Sequence, residues 1–209
     1  GKSTLLKQLK FKLPSRIFNK RIFFLQEPVS EWERFKSKEG NTIIEEFYKD
    51  KKKWGFSFQI MAYISRLKSI KEIIQKKGEN IIIICERSLW TDKNVFAKML
   101  YDSDCINDID YKIYNSWFDE FVENYPLSGI LYVNTSANIS HERIKNRNRM
   151  GEENISIEYL EECEQNKVDP DIYKVSGMTS EEILTYFYET FKFKKQKDGW
   201  VVNLDLDKF

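Results

Sequence analysis

The chain has 209 residues, enough for one domain with a buried core, and its 34 basic and 33 acidic residues nearly cancel to a formal charge of +1. So even a balance excludes a protein that grips nucleic acid or an anionic membrane surface by charge, and no apolar run approaches the roughly 20 residues of a membrane span. The single histidine, His141, and the cysteines Cys85, Cys105 and Cys163, without metal-ligand spacing, give no His- or Cys-built metal site and leave carboxylates as the candidates for proton transfer.

The sequence opens on Gly1-Lys2-Ser3-Thr4 ahead of a helical pattern through Leu5, Leu6 and Leu9. These residues match the end of a G-x-x-x-x-G-K-[ST] loop. In such a loop backbone N–H groups close around phosphate, the lysine reaches the outer phosphate oxygens and the hydroxyl holds Mg²⁺. A chance Gly-Lys-Ser run is the plain alternative, and the position at the start of a helix favours the loop. The expectation is a chain cut inside this motif, without the strand that should precede it. Residues 21–26 read as a strand ending at Glu27-Pro28-Val29, where a carboxylate suits proton acceptance from a bound hydroxyl. Trp32 adds a flat surface five residues on.

Residues 42–50 read as a short helix with Ile43, Ile44, Phe47 and Tyr48, and 54–77 as a long one with Phe58, Met61, Ala62, Leu67, Ile70 and Ile74 near helical spacing. Gln59 and Arg66 lie about two turns apart within that apolar face. Polar groups there cost stability unless paired, so the stripe reads as a pocket wall as well as core. Ile81 to Ile84 are consecutive β-branched residues, the pattern of a parallel strand buried on both faces. The run breaks off at Glu86-Arg87, where open α/β sheets place their ligand crevice; a surface ion pair is the bland reading of those two residues alone. Ser88 is expected to cap a helix running to about Tyr101, with Asp92 and Phe96 one turn apart. Residues 106–124 read as a helix and 128–134 as a strand. Ser136 then starts a helix ending in Arg143, Arg147 and Arg149 before Gly151-Glu152-Glu153. A basic helix face is most often simply solvated, but beside a phosphate cradle these arginines suit a closing lid. Residues 156–165 read as helical, 168–180 as irregular, 181–193 as helical and 199–206 as a final strand. No repeat or linker divides the chain.

Taken in order, Gly-Lys-Ser-Thr (1–4), Glu-Pro-Val-Ser-Glu-Trp (27–32), Phe-Ser-Phe-Gln (56–59), Glu-Arg-Ser (86–88) and Arg-x-x-x-Arg-x-Arg with Ile-Ser-Ile-Glu-Tyr-Leu (143–160) resemble the deoxynucleoside kinases, in the branch of the deoxycytidine and deoxyguanosine kinases. The resemblance implies a three-layer α/β P-loop kinase fold: a parallel sheet whose first strand is missing here, flanking helices and an Arg-rich lid. Residues 1–209 would form one such domain, truncated at both ends. It further implies phosphorylation of a deoxyribonucleoside 5′-hydroxyl for nucleotide salvage, with ATP or another nucleoside triphosphate and Mg²⁺, by a homodimer using helices around 95–100 and 110–122. The implied location is cytoplasmic, with an organellar leader left open.

In this resemblance Gly1, Lys2, Ser3 and Thr4 hold donor phosphates, and Ser3 with Glu86 serves Mg²⁺. Glu27 is the general base, fixed by Arg87, with Glu86 as the other candidate for that role. Arg143, Arg147 and Arg149 form the lid, Tyr48 and Glu152 grip the sugar 3′-hydroxyl, and Phe209 belongs to an adenine-sensing loop. Val29 and Ile44 join the substrate pocket. Gln59 can donate to and accept from one edge of a nucleobase, between Trp32, Phe47, Phe58 and Phe96, the last by stacking. Ala62, Arg66 and Asp92 match the deoxycytidine and deoxyguanosine branch. An aspartate accepts from an exocyclic amine, and the bulky Arg66–Asp92 pair leaves little room for a 5-methyl group. Deoxycytidine or a deoxypurine is therefore expected over thymidine, with a plain structural ion pair as the alternative reading of Arg66 and Asp92. Departures from the family are a longer loop between Lys2 and Glu27, a poor fit over 163–198 and no final helix. A nucleoside monophosphate kinase is the competing enzyme, disfavoured because Glu27 and Glu152 would repel the acceptor's phosphate. A non-catalytic relative is disfavoured by the retained charged residues.

Overall fold

The computed structural model describes residues 2–17, 19–78, 80–125, 130–149, 151–153, 155–166, 194–195 and 201–205. Its organising feature is a parallel strand pair, β2 (Lys20–Leu25) and β3 (Ile81–Cys85), in register from Arg21 opposite Ile81 to Leu25 opposite Cys85. The Glu86 N–H donates to the Leu25 carbonyl at 2.8 Å and extends the ladder one step. Parallel strands joined through a helical crossover release their following residues at one end, so Glu27 and Arg87 leave the sheet side by side. A short β1 (Arg16–Ile17) adds antiparallel to the outer edge of β2. A second parallel pair, β4 (Ile130–Asn134) with β6 (Val201–Asp205), carries β5 (Lys194–Lys195) antiparallel on the far side of β6. The architecture is α/β. Ile81 to Cys85 are half-buried, where their β-branched run predicts burial on both faces. Among the described residues β3 pairs only with β2.

The helices begin where side chains can cap them. Thr42 and Glu45 form a reciprocal capping box at α3 (Ile43–Lys49). Asp50 accepts from the Lys53 N–H and starts α4 (Lys51–Lys77) one turn before the apolar pattern does; Gly78, at φ 80°, ends it. Ser88 caps α5 (Leu89–Thr91), as expected. The chain then widens into a π-helical segment over Asp92–Ala97 and tightens again into α6 (Lys98–Asp102). One continuous α-helix is predicted there, and π turns leave no periodic signature in so short a run. Asn107, Ser136 and Ser156 cap α7 (Asp108–Val122), α8 (Ala137–Arg147) and α9 (Ile157–Gln165). A short α2 (Val29–Trp32) follows β2. The last strand is present as β6, while the segments at 168–180 and 181–193 lie outside the described residues.

Tyr63, Leu89, Ala97, Tyr114, Phe118 and Val122 form the core between α4, the π segment and α7. Trp32, Ile43, Ile44 and Ala62 pack a smaller cluster beside the strand ends. A Cβ on Gly55 would stand 3.1 Å from the Cys105 carbonyl, so glycine is what lets α4 pass that loop. Among the described residues no helix is long and apolar enough to cross a membrane.

Candidate active site

The site is built where β2 and β3 end and α1 (Lys2–Lys12) begins. Ser3, in the first turn of α1, donates from Oγ to Glu86 Oε1 at 2.6 Å, across 83 residues of sequence. The motif ending and the break in the isoleucine run thus meet. Lys2 and Thr4 are solvent-exposed on the same turn. The Arg87 guanidinium depresses the Lys2 ammonium pKa, against the opposing pull of Glu27 and Glu86. Gly1 and Phe209 lie outside the described residues.

Glu27 Oε1 receives two guanidinium contacts, Arg87 Nη1 at 2.9 Å and Arg66 Nη2 at 2.6 Å. Burial pushes the Glu27 carboxyl up, but Arg87, Arg66 and Lys2 together outweigh it and hold the pKa below its ordinary 4.5. Glu27 is accordingly ionised at neutral pH. Arg87 sits at φ 94°, an unusual backbone for a side-chain-bearing residue. Its guanidinium carbon also lies 4.3 Å from the centre of the Phe96 ring. Burial alone would lower the Arg87 pKa; Glu27 and Asp92 more than offset it and keep the guanidinium charged.

From α4, Arg66 reaches in two directions. Nη1 bonds both Asp92 oxygens, each at 2.7 Å, and Nη2 bonds Glu27. Its guanidinium carbon lies 5.1 Å from the centre of the Trp32 ring, which is itself fixed by a 2.8 Å bond from Nε1 to Ser65 Oγ. Asp92 is fully buried, and that burial raises its pKa despite Arg66 and Arg87.

The aromatic residues form a graded wall. Trp32 meets Phe58 edge-on at 5.7 Å, and Phe58 stacks on Phe47 at 4.4 Å. Phe47 has no exposed surface and packs on Leu100 and Ile106, so it backs Phe58 rather than lining open space. Val29, Ile44 and Ala62 pack with Trp32. Gln59 is only 2% exposed, and its Oε1 has no hydrogen-bond partner. A buried amide oxygen left without a donor costs about 1–3 kcal/mol, and here it lies on the α4 face that carries Ala62 and Arg66.

Of the arginines expected in a lid, Arg143 and Arg147 lie on α8 and Arg149 just beyond it. Arg147 donates to Glu152 Oε2 from Nε at 3.1 Å and also from Nη2, and Arg149 donates to Oε1 at 3.2 Å. Both Glu152 oxygens are therefore engaged by arginines at and just beyond the end of α8. Tyr48 is held against Phe47 at 5.0 Å; burial raises its phenol pKa, with the Glu152 charge adding to the effect. Two contacts are absent from the sequence reading, Arg66 to Glu27 and the arginines to Glu152. Helical spacing puts Arg66 on the correct face, but only the strand-end geometry brings Glu27 within its reach.

Comparison with known proteins agrees with this geometry. Residues 1–204 match the sequence profile of the family described as deoxynucleoside kinase. The chain is 36% identical over 139 residues to a probable deoxycytidine kinase of fowlpox virus, an alignment covering 65% of this chain and 55% of that protein. It is 32% identical over 154 residues to deoxycytidine kinase of Mus musculus, covering 65% and 59%. To the mitochondrial deoxyguanosine kinase of Xenopus laevis it is 30% identical over 179 residues, covering 77% and 65%. The chain thus spans a little over half the length of the first of these relatives. With a family match over nearly its whole length, the chain belongs to the deoxynucleoside kinase family and has its α/β P-loop kinase fold.

Proposed function

We propose that the protein transfers the terminal phosphoryl group of ATP, or another nucleoside triphosphate, to the 5′-hydroxyl of a deoxyribonucleoside, as a step of nucleotide salvage. The observation that carries this reading is the convergence of Ser3–Glu86 with Glu27–Arg87 at adjacent parallel strand ends. One acid lies on the phosphate side and the other faces guanidinium groups. Glu27, ionised and held by its Oε1, accepts the 5′-hydroxyl proton as the new P–O bond forms and the bond to the departing nucleoside diphosphate breaks. Arg87 holds Glu27 and neutralises charge on the transferred group. The N-terminal turn of α1 and Lys2 hold the donor phosphates. Arg143, Arg147 and Arg149 close over them, which requires Arg147 and Arg149 to leave Glu152. Glu152 and Tyr48 then hold the sugar 3′-hydroxyl.

The Ser3 hydroxyl and the Glu86 carboxylate are hard oxygen donors 2.6 Å apart, and they suit Mg²⁺. That ion takes one or two protein oxygens and completes its shell with substrate phosphate and water. Among the described residues no group of three or more His, Cys, Asp or Glu is placed to cage a metal, which Mg²⁺ does not need. When bound, the ion would screen charge between the outer phosphates.

On the acceptor side, the unpartnered Gln59 oxygen supports a nucleobase with an N–H beside an acceptor on one edge. The buried Arg66–Asp92 pair supports an exocyclic amine and disfavours a 5-methyl group. Deoxycytidine or a deoxypurine is thus favoured over thymidine. We also propose a homodimer, through α4 and α7.

The test is phosphorylation of all four deoxynucleosides by the full-length protein with ATP. E27Q is expected to lose at least about 10²-fold in kcat with nucleoside binding retained. Turnover undiminished in E27Q but abolished in E86Q would move the base to Glu86. A clear thymidine preference would refute the specificity reading.

A further inference from the structure

We infer that Arg66 is a positioning residue for Glu27, tying the acid that receives the 5′-proton to the base-reading carboxylate of Asp92 in one buried unit. The inference rests on the kinase reading and deepens it. Arg66 is buried, and each end of its fork serves a different carboxylate: Asp92 through Nη1 at 2.7 Å to both oxygens, Glu27 through Nη2 at 2.6 Å. Its guanidinium carbon lies 5.1 Å from the centre of the Trp32 ring, and Trp32 is tied to Ser65, so three anchored groups surround the guanidinium and restrict its turning. Arg87 reaches the same Glu27 oxygen, Oε1, at 2.9 Å. Two cations on one oxygen fix the carboxylate's rotation and leave Oε2 to accept the proton.

The π segment touches both of these holders. Asp92, its first residue, binds Arg66; Phe96, four residues on, lies under Arg87. A nucleobase that displaces Asp92 therefore turns Arg66 and, with it, Glu27. Misplacing a catalytic group by a fraction of an ångström costs rate rather than binding. Base recognition then appears in kcat as well as in affinity. A lysine at position 66 keeps the charge but has one ammonium on a flexible stem and cannot hold two separate carboxylates in a fixed plane.

The experiment uses the full-length protein and compares deoxycytidine phosphorylation by wild type, R66K, E27Q and E27Q/R66K, with nucleoside affinity measured by calorimetry. R66K is expected to lower kcat about tenfold or more, a larger factor than its change in nucleoside Kd, which reports the loosened Asp92 alone. In the E27Q background, R66K is expected to have no further effect on kcat, because the group it acts through is already gone. Multiplying effects, or an R66K variant altered only in Kd, would overturn the inference and leave the kinase reading intact. A wild type that phosphorylates no deoxynucleoside sinks the kinase reading instead. The Arg66 contact is then read without turnover, from the ¹³C carboxyl titration of Glu27. The charged and titratable groups facing Glu27 are Lys2 of α1, Tyr48 of α3, Arg66 of α4, Arg87 beyond β3 and Asp92 of the π segment. R66Q/D92N removes the pair without stranding a buried charge, and the Glu27 midpoint is expected to rise. An unchanged midpoint refutes the contact.

Discussion

Glu27 is a largely buried acid among cations, and its folded-state pKa lies below its ordinary 4.5. The folded protein thus binds fewer protons at this group than the unfolded chain. Its stabilising contribution is complete above pH 4.5 and is lost as pH falls through the folded pKa. E27Q removes that contribution and leaves Arg66 and Arg87 without one of their partners. It is therefore expected to be less stable at pH 7, by about 3 kcal/mol, but to lose less stability than wild type between pH 5 and pH 3. Asp92 works the other way: burial raises its pKa, so its contribution falls as pH rises through the folded value. Thermal unfolding of both proteins across that range is the check, and parallel curves would contradict the assignment. Gln59 offers a sharper separation. Its Oε1 is buried without a donor, so Q59L removes an unsatisfied acceptor. We expect unfolding stability to be unchanged or higher, with nucleoside affinity reduced about fivefold or more, since a paired amide is worth about 1–3 kcal/mol to a bound base. A variant that loses both would make Gln59 part of the scaffold.

At the scale of the elements, the turn after α8 is the most constrained by backbone. Gly151 has φ 86°, and a Cβ there would stand 2.9 Å from Glu45 Cγ and 3.3 Å from the Glu45 nitrogen. Gly40 has φ 89° with nothing within 4 Å. G40A should therefore cost only the left-handed strain of about 1–2 kcal/mol. G151A should cost more, because the capping-box turn at α3 must also move, and it should weaken donor binding through the Arg147–Arg149 turn. Denaturant unfolding of the two variants compares them directly. The elements also show what a sequence can carry. Thr42, Ser88, Ser136 and Ser156 announce helix starts because capping is local chemistry. Glu27, Glu86 and Arg87 are legible because residues that follow neighbouring parallel strands must converge. The π segment is not legible: its Asp92 and Phe96 meet Arg66 and Arg87 across the fold, and no spacing of residues records such contacts. The Arg147 and Arg149 contacts to Glu152 are hidden for a similar reason, since they depend on the left-handed Asn148 reversing the chain.

At the scale of the whole molecule, the described residues leave an apolar stripe exposed. On α7, Ile109, Ile113 and Trp117 recur every four residues and are 70%, 41% and 54% exposed; on α4, Ile64 is 52% exposed. Phe121 extends the stripe by stacking on Trp117 at 5.7 Å. The opposite side of α7 holds Tyr114 and Phe118 in the core, so the helix is apolar on two faces where a solvent-facing helix needs one. Val95, Met99 and Leu100, in the segment expected from sequence to contribute to a dimer contact, are buried within the chain. Among the described residues, the face open to the proposed second copy is therefore α7 with α4. A two-fold axis over this stripe would set the same patch of both copies against itself, as isologous contacts require. The double variant I113K/W117E places charge on the stripe without touching Tyr114 or Phe118. It is expected to sediment as a monomer under conditions where the wild type is a dimer, with an unchanged circular dichroism spectrum. A wild-type monomer at micromolar concentration, or a dimeric variant, would exclude this face as the interface. The core residues lie on the other side of the helix, so loss of the dimer and loss of the fold are separable outcomes.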